Sequence, residues 1–310
     1  MTARTDLEKE KNRQMRHCTL CPRACGADRA GGRTGVCGQT DRITAARAAL
    51  HYWEEPCISG KEGSGTVFFS GCSLGCVFCQ NRAIAGGSVG KKISEDWLVE
   101  IFLKRQEQKA NNINLVTGGH FIFQIAESLE IAKARGLQIP VVYNTSGYEK
   151  ADTLKYLEGL VDIYMPDFKY WKRETAEKYA GAADYPDIVK EAIEEMIRQT
   201  NEPVFDDRGI MRKGVLARHL ILPGHVGEAK SIIRYLLETY KDRIYISIMN
   251  QYTPMPGVAD RFEELGRKVT KREYERVIGY ALELGLEQGF VQEGETAEES
   301  FIPPFDLEGI

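Results

Sequence analysis

The chain has 310 residues, 43% hydrophobic and 28% charged, enough apolar material for a large core and unlike the composition of a disordered protein. Its 41 basic and 45 acidic residues leave a formal charge of -4, which gives no overall attraction to nucleic acid or to an anionic membrane, so neither is an expected partner. Residues 1–17 carry charges where a signal peptide needs an apolar run, and no stretch approaches the roughly 20 apolar residues of a transmembrane helix. A cytoplasmic protein is expected.

All eight cysteines lie in the first quarter of the chain: Cys18, Cys21, Cys25, Cys37, Cys57, Cys72, Cys76 and Cys79. Disulfide frameworks staple small secreted domains, so metal or iron-sulfur ligation is favoured here. Residues 1–60 read as a separate cysteine-rich, metal-binding module. Within it Cys18-x2-Cys21-Pro22-Arg23-x-Cys25, followed by Gly35-Val36-Cys37-Gly38, sets four cysteines in twenty residues with turns supplied by Pro and Gly. Cys18, Cys21, Cys25 and Cys37 can close a tetrahedral thiolate site, which softness alone opens to zinc or to a second [4Fe-4S] cluster. His17 and Cys57 are spare donors. His51–Pro56 mixes aromatic and acidic groups and reads equally as a segment across a barrel mouth or as a solvated turn.

After a turn-rich link over 60–65, short β-branched runs alternate with stretches of helical period, the pattern of βα repeats on a parallel sheet. Strands are expected at Thr66–Ser70, Ile113–Thr117, Ile139–Asn144, Asp162–Asp167, Leu216–Leu222 and Ile244–Asn250. Ser94 is placed to cap a helix with Trp97, Leu98, Ile101 and Phe102 as its buried stripe. Pro186 starts a helix whose apolar face runs from Ile188 to Ile197, and Ile232, Ile233, Leu236 and Leu237 mark another. Thr270 and Glu273 form a capping box ahead of Tyr274, Val277, Ile278, Ala281 and Leu282. Asn201–Lys213 reads as an excursion or small hairpin. The expected fold is α/β: a partial (β/α)6 TIM-type barrel over 61–290 behind the small cysteine-rich module, with an extended tail over 291–310.

Directly after the first barrel strand comes Gly71-Cys72-Ser73-Leu74-Gly75-Cys76-Val77-Phe78-Cys79, a C-x3-C-x2-C motif at the strand end where barrel enzymes place their chemistry. Three thiolates can hold three irons of a [4Fe-4S] cube and leave the fourth open to an outside ligand, whereas a pure electron carrier normally supplies four cysteines. A zinc site or three unrelated buried thiols is the competing reading. The motif and its setting resemble the radical S-adenosylmethionine (SAM) superfamily over about 66–251, and within it the branch related to pyruvate formate-lyase activating enzyme with an added N-terminal cysteine module.

That resemblance implies a radical SAM enzyme in which Cys72, Cys76 and Cys79 hold the cluster. Its open iron would bind the amino and carboxylate groups of SAM, and one electron would cleave the sulfonium to a 5′-deoxyadenosyl radical for hydrogen abstraction. It also implies an electron donor of the flavodoxin or ferredoxin kind, and a protein or small-molecule substrate, a glycyl radical enzyme among the options. Position by position, Phe78 would face the adenine. Gly118-Gly119-His120 matches a Gly-Gly-acid motif for the SAM amino group, with His120 departing from the acid. Asn144 and Ser146 match a polar strand end, and Asp167 with Lys169 resembles an Asp-x-Lys pair for ribose and carboxylate. Arg218 resembles a cofactor-facing arginine, and Asn250 or Gln251 stands where the branch has a histidine near the adenine. No catalytic side chain beyond the cluster ligands is assigned. A noncatalytic iron-sulfur or zinc protein, carrier or adaptor, is the alternative.

Overall fold

The computed structural model describes residues 2–291 and 302–310, with side chains from residue 8 onward. Its strands are β1 Thr44–His51, β2 Ser64–Phe69, β3 Lys91–Lys92, β4 Ile113–Val116, β5 Val141–Thr145, β6 Ile163–Pro166, β7 Val204–Phe205, β8 Met211–Leu220, β9 Tyr245–Met249 and β10 Gly289–Val291. They line up as β10-β9-β8-β6-β5-β4-β2-β1-β3, with β7 paired to β8. Every neighbouring pair from β10 to β2 is parallel. The two ends of this row do not pair with each other, so the structure is a partial TIM-type barrel.

All six expected strands are present, as β2, β4, β5, β6, β8 and β9. Helices cover their outer faces, so β2, β4, β5 and β6 are buried throughout and read as continuous apolar runs. A short seventh parallel strand, β10, and the antiparallel β1 were not legible in the pattern. Asn201–Lys213 is the hairpin: β7 pairs antiparallel with β8, which begins at Met211, and Asp206 accepts from the Arg208 and Ile210 amides in the turn. Because β1 pairs with β2 over 45–51, the boundary expected at 60 falls between two strands of one sheet.

Ser94 accepts from the Trp97 amide and starts the helix Glu95–Glu107, which buries Leu98, Ile101 and Phe102. Trp97 itself is exposed rather than part of the buried stripe. Thr270 and Glu273 form the full capping box of the helix Lys271–Glu283, which buries Val277 and Ala281 but leaves Leu282 in solvent. The described end of the tail is extended along β1. There the Leu307 amide donates to the Ala46 carbonyl, the Ala48 amide to Glu308, and Phe305 meets Phe68 edge to face. Residues 292–301 of the expected tail lie outside the described residues.

Candidate active site

The C-terminal ends of the parallel strands surround one cavity, and Cys72, Cys76 and Cys79 all line it. The loop that carries them leaves β2 through Gly71, whose φ of 89° and whose contact with the Cys37 carbonyl, 2.3 Å from where a Cβ would stand, admit only glycine. A turn in which the Cys79 amide donates to the Cys76 carbonyl brings the last two cysteines together. Burial pushes the Cys76 thiol up to about 11, against the pull of Lys169, and Cys79 up to about 12. Such thiols stay protonated at neutral pH unless a metal displaces the proton. The buried Tyr170 hydroxyl makes no well-formed hydrogen bond and stands beside the Cys76 sulfur, positioned for an acceptor that a thiolate would be.

Beside the thiols, just past the end of β6, Asp167 and Lys169 point to the same side, with Nζ 2.6 Å from Oδ2. Arg218 Nε meets the other Asp167 oxygen at 2.9 Å. Burial works to raise Asp167, but Arg218 and Lys169 outweigh it and hold the carboxyl below its usual range. Arg218 is held from two further sides: Nη1 pairs with Glu54 at 3.1 Å and Nη2 donates to Asn144 at 2.8 Å. Asn114 and Asn144 also donate to Glu54. The His51–Pro56 segment therefore enters the barrel, with His51, Trp53 and Glu54 on the cavity. Burial raises both Glu54 and Glu55. Three carboxyls face two cations in this network, so burial favours the neutral acid at Glu54 and Glu55, and a cationic ligand would shift them back toward the ionised form.

The other expected residues divide. Phe78, Asn144 and Ser146 line the cavity, Phe78 being held edge to face by Tyr170, Tyr179 and Tyr252. Gly118, Gly119 and His120 do not. A side chain at Gly118 would strike Ile125 and one at Gly119 the Glu149 carboxylate, so both glycines serve packing behind the cavity. His120 is buried and its Nε2 donates to the Ser70 carbonyl at 2.7 Å, two residues before Cys72. Burial depresses it to about 3, so it is a neutral anchor of the strand end. Thr117, with a left-handed φ of 59°, presents its side chain to the cavity in their place. Gln251 lines the cavity and Asn250 does not.

In the N-terminal module Cys18 and Cys37 are buried, Cys21 is partly buried and Cys25 exposed; burial pushes the Cys21 thiol up to about 12 and raises Cys37, with the neighbouring thiols adding to both. Arg29 is fully buried, donating to the Thr40 carbonyl and, at 3.8 Å, to the Cys18 sulfur. No carboxylate among the described residues pairs with it, so its charge calls for an anionic partner such as a metal thiolate centre. Cys57 lies elsewhere, in a small apolar cluster with Val142 and Met211. Among the described residues, no three His, Cys, Asp or Glu side chains are close enough to grip one ion. A cube makes a different demand, because each thiolate binds its own iron at a separate corner. The donor set at Cys72, Cys76 and Cys79 fits that demand, while a single zinc at the N-terminal four requires the thiols to close further.

Residues 66–212 match the sequence profile of the Radical SAM superfamily. Over that stretch, just under half of its length, the chain is similar to radical SAM proteins. The match includes Cys72, Cys76, Cys79, Asp167 and Lys169 but stops short of Arg218 and leaves out the N-terminal cysteines. Uncharacterized protein MJ0674 of Methanocaldococcus jannaschii is 27% identical over 289 residues, 91% of this chain and 79% of that protein. The crystal structure of Streptococcus suis SuiB bound to precursor peptide SuiA superposes with a TM-score of 0.50 and 16% identity over 72% of this chain. This chain spans 46% of SuiB, and the likeness bears on the fold alone. The superfamily that this stretch matches consists of enzymes that use SAM and a [4Fe-4S] cluster. No helix among the described residues is long and apolar enough to cross a membrane.

Proposed function

We propose that the chain is a radical SAM enzyme whose cluster would be held by Cys72, Cys76 and Cys79 and whose SAM would be held in the same cavity. The observation that carries this is the meeting of three thiols and the Asp167-Lys169 pair in one cavity at the strand ends. When bound, the cluster and SAM supply one-electron cleavage of the sulfonium and a 5′-deoxyadenosyl radical that takes a hydrogen atom from a substrate. The chain's own groups bind and orient. Lys169 offers an ammonium to the SAM carboxylate and Asp167 accepts from ribose hydroxyls. Arg218, bonded to Asp167, Glu54 and Asn144, keeps Asp167 ionised and in place. SAM carries a net charge of about +1 at neutral pH, the sign that the Glu54, Glu55 and Asp167 surplus favours. Phe78, backed by its tyrosines, gives the adenine an apolar surface.

The electron comes from a donor of the flavodoxin or ferredoxin type. The branch resemblance makes a glycyl radical enzyme the first substrate to try, and the exposed Tyr52 and Trp53 beside the cavity offer a polypeptide something to bury. The N-terminal thiols, with Arg29 beside them, hold a second metal centre, zinc or another cluster. Incubating reduced, reconstituted protein with SAM tests the reading. 5′-Deoxyadenosine is expected from the parent and not from Cys76→Ala, and its absence from the parent would return the chain to a noncatalytic iron-sulfur or zinc protein.

A further inference from the structure

The two sets of cysteines, separate in sequence, meet at Arg23. This residue belongs to the Cys21–Cys25 turn, which is closed by the Ala24 amide donating to the Cys21 carbonyl at 3.0 Å. Its guanidinium leaves the module and enters the loop between Cys72 and Cys76. There Nε donates to the Ser73 carbonyl at 2.9 Å and Nη2 to Leu74 at 3.1 Å. The same group spans to the end of the helix Arg173–Ala180, donating from Nη2 to Ala180 at 2.7 Å and from Nη1 to Gly181. The Tyr148 ring faces it at 5.3 Å. All four acceptors are backbone carbonyls, two of them at a helix C-terminus, where a cation is favoured. The loop's own tie to this helix is the Val77 amide, which donates to Tyr179 at 2.9 Å.

A second grip lies at the other end of the loop. The Cys37 carbonyl rests on Gly71, Gly38 packs against the Gly86 carbonyl, and Gln39 Nε2 donates to Gly87 at 3.0 Å. Residues beside Cys21, Cys25 and Cys37 thus hold both ends of the segment that carries Cys72, Cys76 and Cys79. A loop held in its binding form loses less conformational entropy when its ligand arrives.

We propose that the N-terminal cysteine module is a clamp on the loop of the radical site, with Arg23 as its positioning residue. Metal at Cys18, Cys21, Cys25 and Cys37 fixes the turn that presents Arg23, and Arg23 fixes the 72–76 loop. The first link, metal in the module, and the last, that the fixed loop takes up iron, rest on the function proposed above; the Arg23 contacts between them do not.

Hydrogen exchange of residues 72–79 in a full-length Cys76→Ala background tests the clamp where cluster loading cannot mask it. Adding Arg23→Ala is expected to speed exchange of this segment at least about tenfold while β4 to β6 keep their protection. Arg23→Lys recovers part of it, since one ammonium cannot span four carbonyls. Unchanged exchange in the Arg23→Ala protein overturns the proposal. Should that variant lose its strand protection too, stripping the N-terminal metal by chelation decides: release of 72–79 with the strands intact supports the clamp, and no release overturns it. Iron retention with Cys76 restored reads the last link. A loop that responds to Arg23 in a protein that never cleaves SAM keeps the clamp and removes the proposed chemistry. SAM cleavage with an unresponsive loop does the reverse.

Discussion

The two thiol sites differ in what surrounds them more than in their ligands. Cys72, Cys76 and Cys79 face an open cavity, and the cation beside them, Lys169, already has an acid partner in Asp167. Cys18 and Cys37 are buried beside Arg29, a buried cation with no acid partner among the described residues, while Cys21 is partly buried and Cys25 exposed. Three thiols on a cavity suit a centre that must meet another molecule, and four thiols away from that cavity, enough to fill a tetrahedral site, suit a centre that only holds the chain. The lesson is that ligand count and access together, rather than cysteine spacing alone, separate chemistry from support.

The largest expected effect breaks the comparison outright. Alanine at Cys72, Cys76 or Cys79 removes the thiolates that hold the cluster, and 5′-deoxyadenosine formation should fall to background in each variant. Cleavage that persisted in all three would place the chemistry elsewhere. Next, serine at all four of Cys18, Cys21, Cys25 and Cys37 should disorder about the first forty residues, leave the barrel folded and lower, without abolishing, SAM cleavage. Proteolysis and circular dichroism read the folding, and metal analysis reads the loss as one zinc or about four irons.

A smaller effect sharpens the assignment of the cavity's polar side. Asp167→Asn and Lys169→Ala should weaken SAM binding about ten- to a hundredfold, the worth of roughly 1.5–3 kcal/mol for one charged hydrogen bond, while iron content is kept. Calorimetric titration with SAM checks this, and equal affinity in both variants would make the pair purely structural.

The smallest effect lies behind the cavity, in the pH dependence of stability. His120 is depressed from 6.5 to about 3, so between these values the unfolded chain binds the extra proton and stability drains away as pH falls from 6.5 toward 3. Glu149, buried against Gly119 and raised by burial from 4.5 to about 7, acts with the opposite sign. Its folded form binds more protons between 4.5 and 7, and stability is lost as pH rises through about 7. His120→Gln should therefore flatten the acid side of the stability curve and Glu149→Gln the neutral side, each by up to about 1.4 kcal/mol per pH unit. Urea titrations across pH 4 to 8 measure both slopes.

The six barrel strands were legible because burial on both faces writes them as apolar runs, and the capped helices because Ser94 and Thr270 act within one turn. β1 was not. Thr44–His51 is alanine-rich and carries helical propensity, and its strand identity comes from pairing with β2 and from the closeness small side chains permit. Within the site, the thiols and the Asp167-Lys169 pair were readable from local spacing. Glu54 was not, because its role depends on Asn114, Asn144 and Arg218, brought together from three distant strands. The expectation for Gly118-Gly119-His120 took sequence adjacency for orientation: the turn after β4 faces Thr117 inward and leaves the next three residues to packing. Arg23 lies inside a legible motif, yet nothing near it in sequence tells that its partners are more than fifty positions away or nearly so.

An open sheet has two borders, and each is a template for a neighbouring molecule unless it is blunted. Here the far border is covered twice, by β3 at Thr44 and Ala45 and by the tail at Ala46 and Ala48. Arg47 pins that cover by reaching Asp306 and Glu308. The last few residues thus act as a guard against strand-to-strand association, protecting the chain's behaviour at high concentration independently of anything that happens in the cavity.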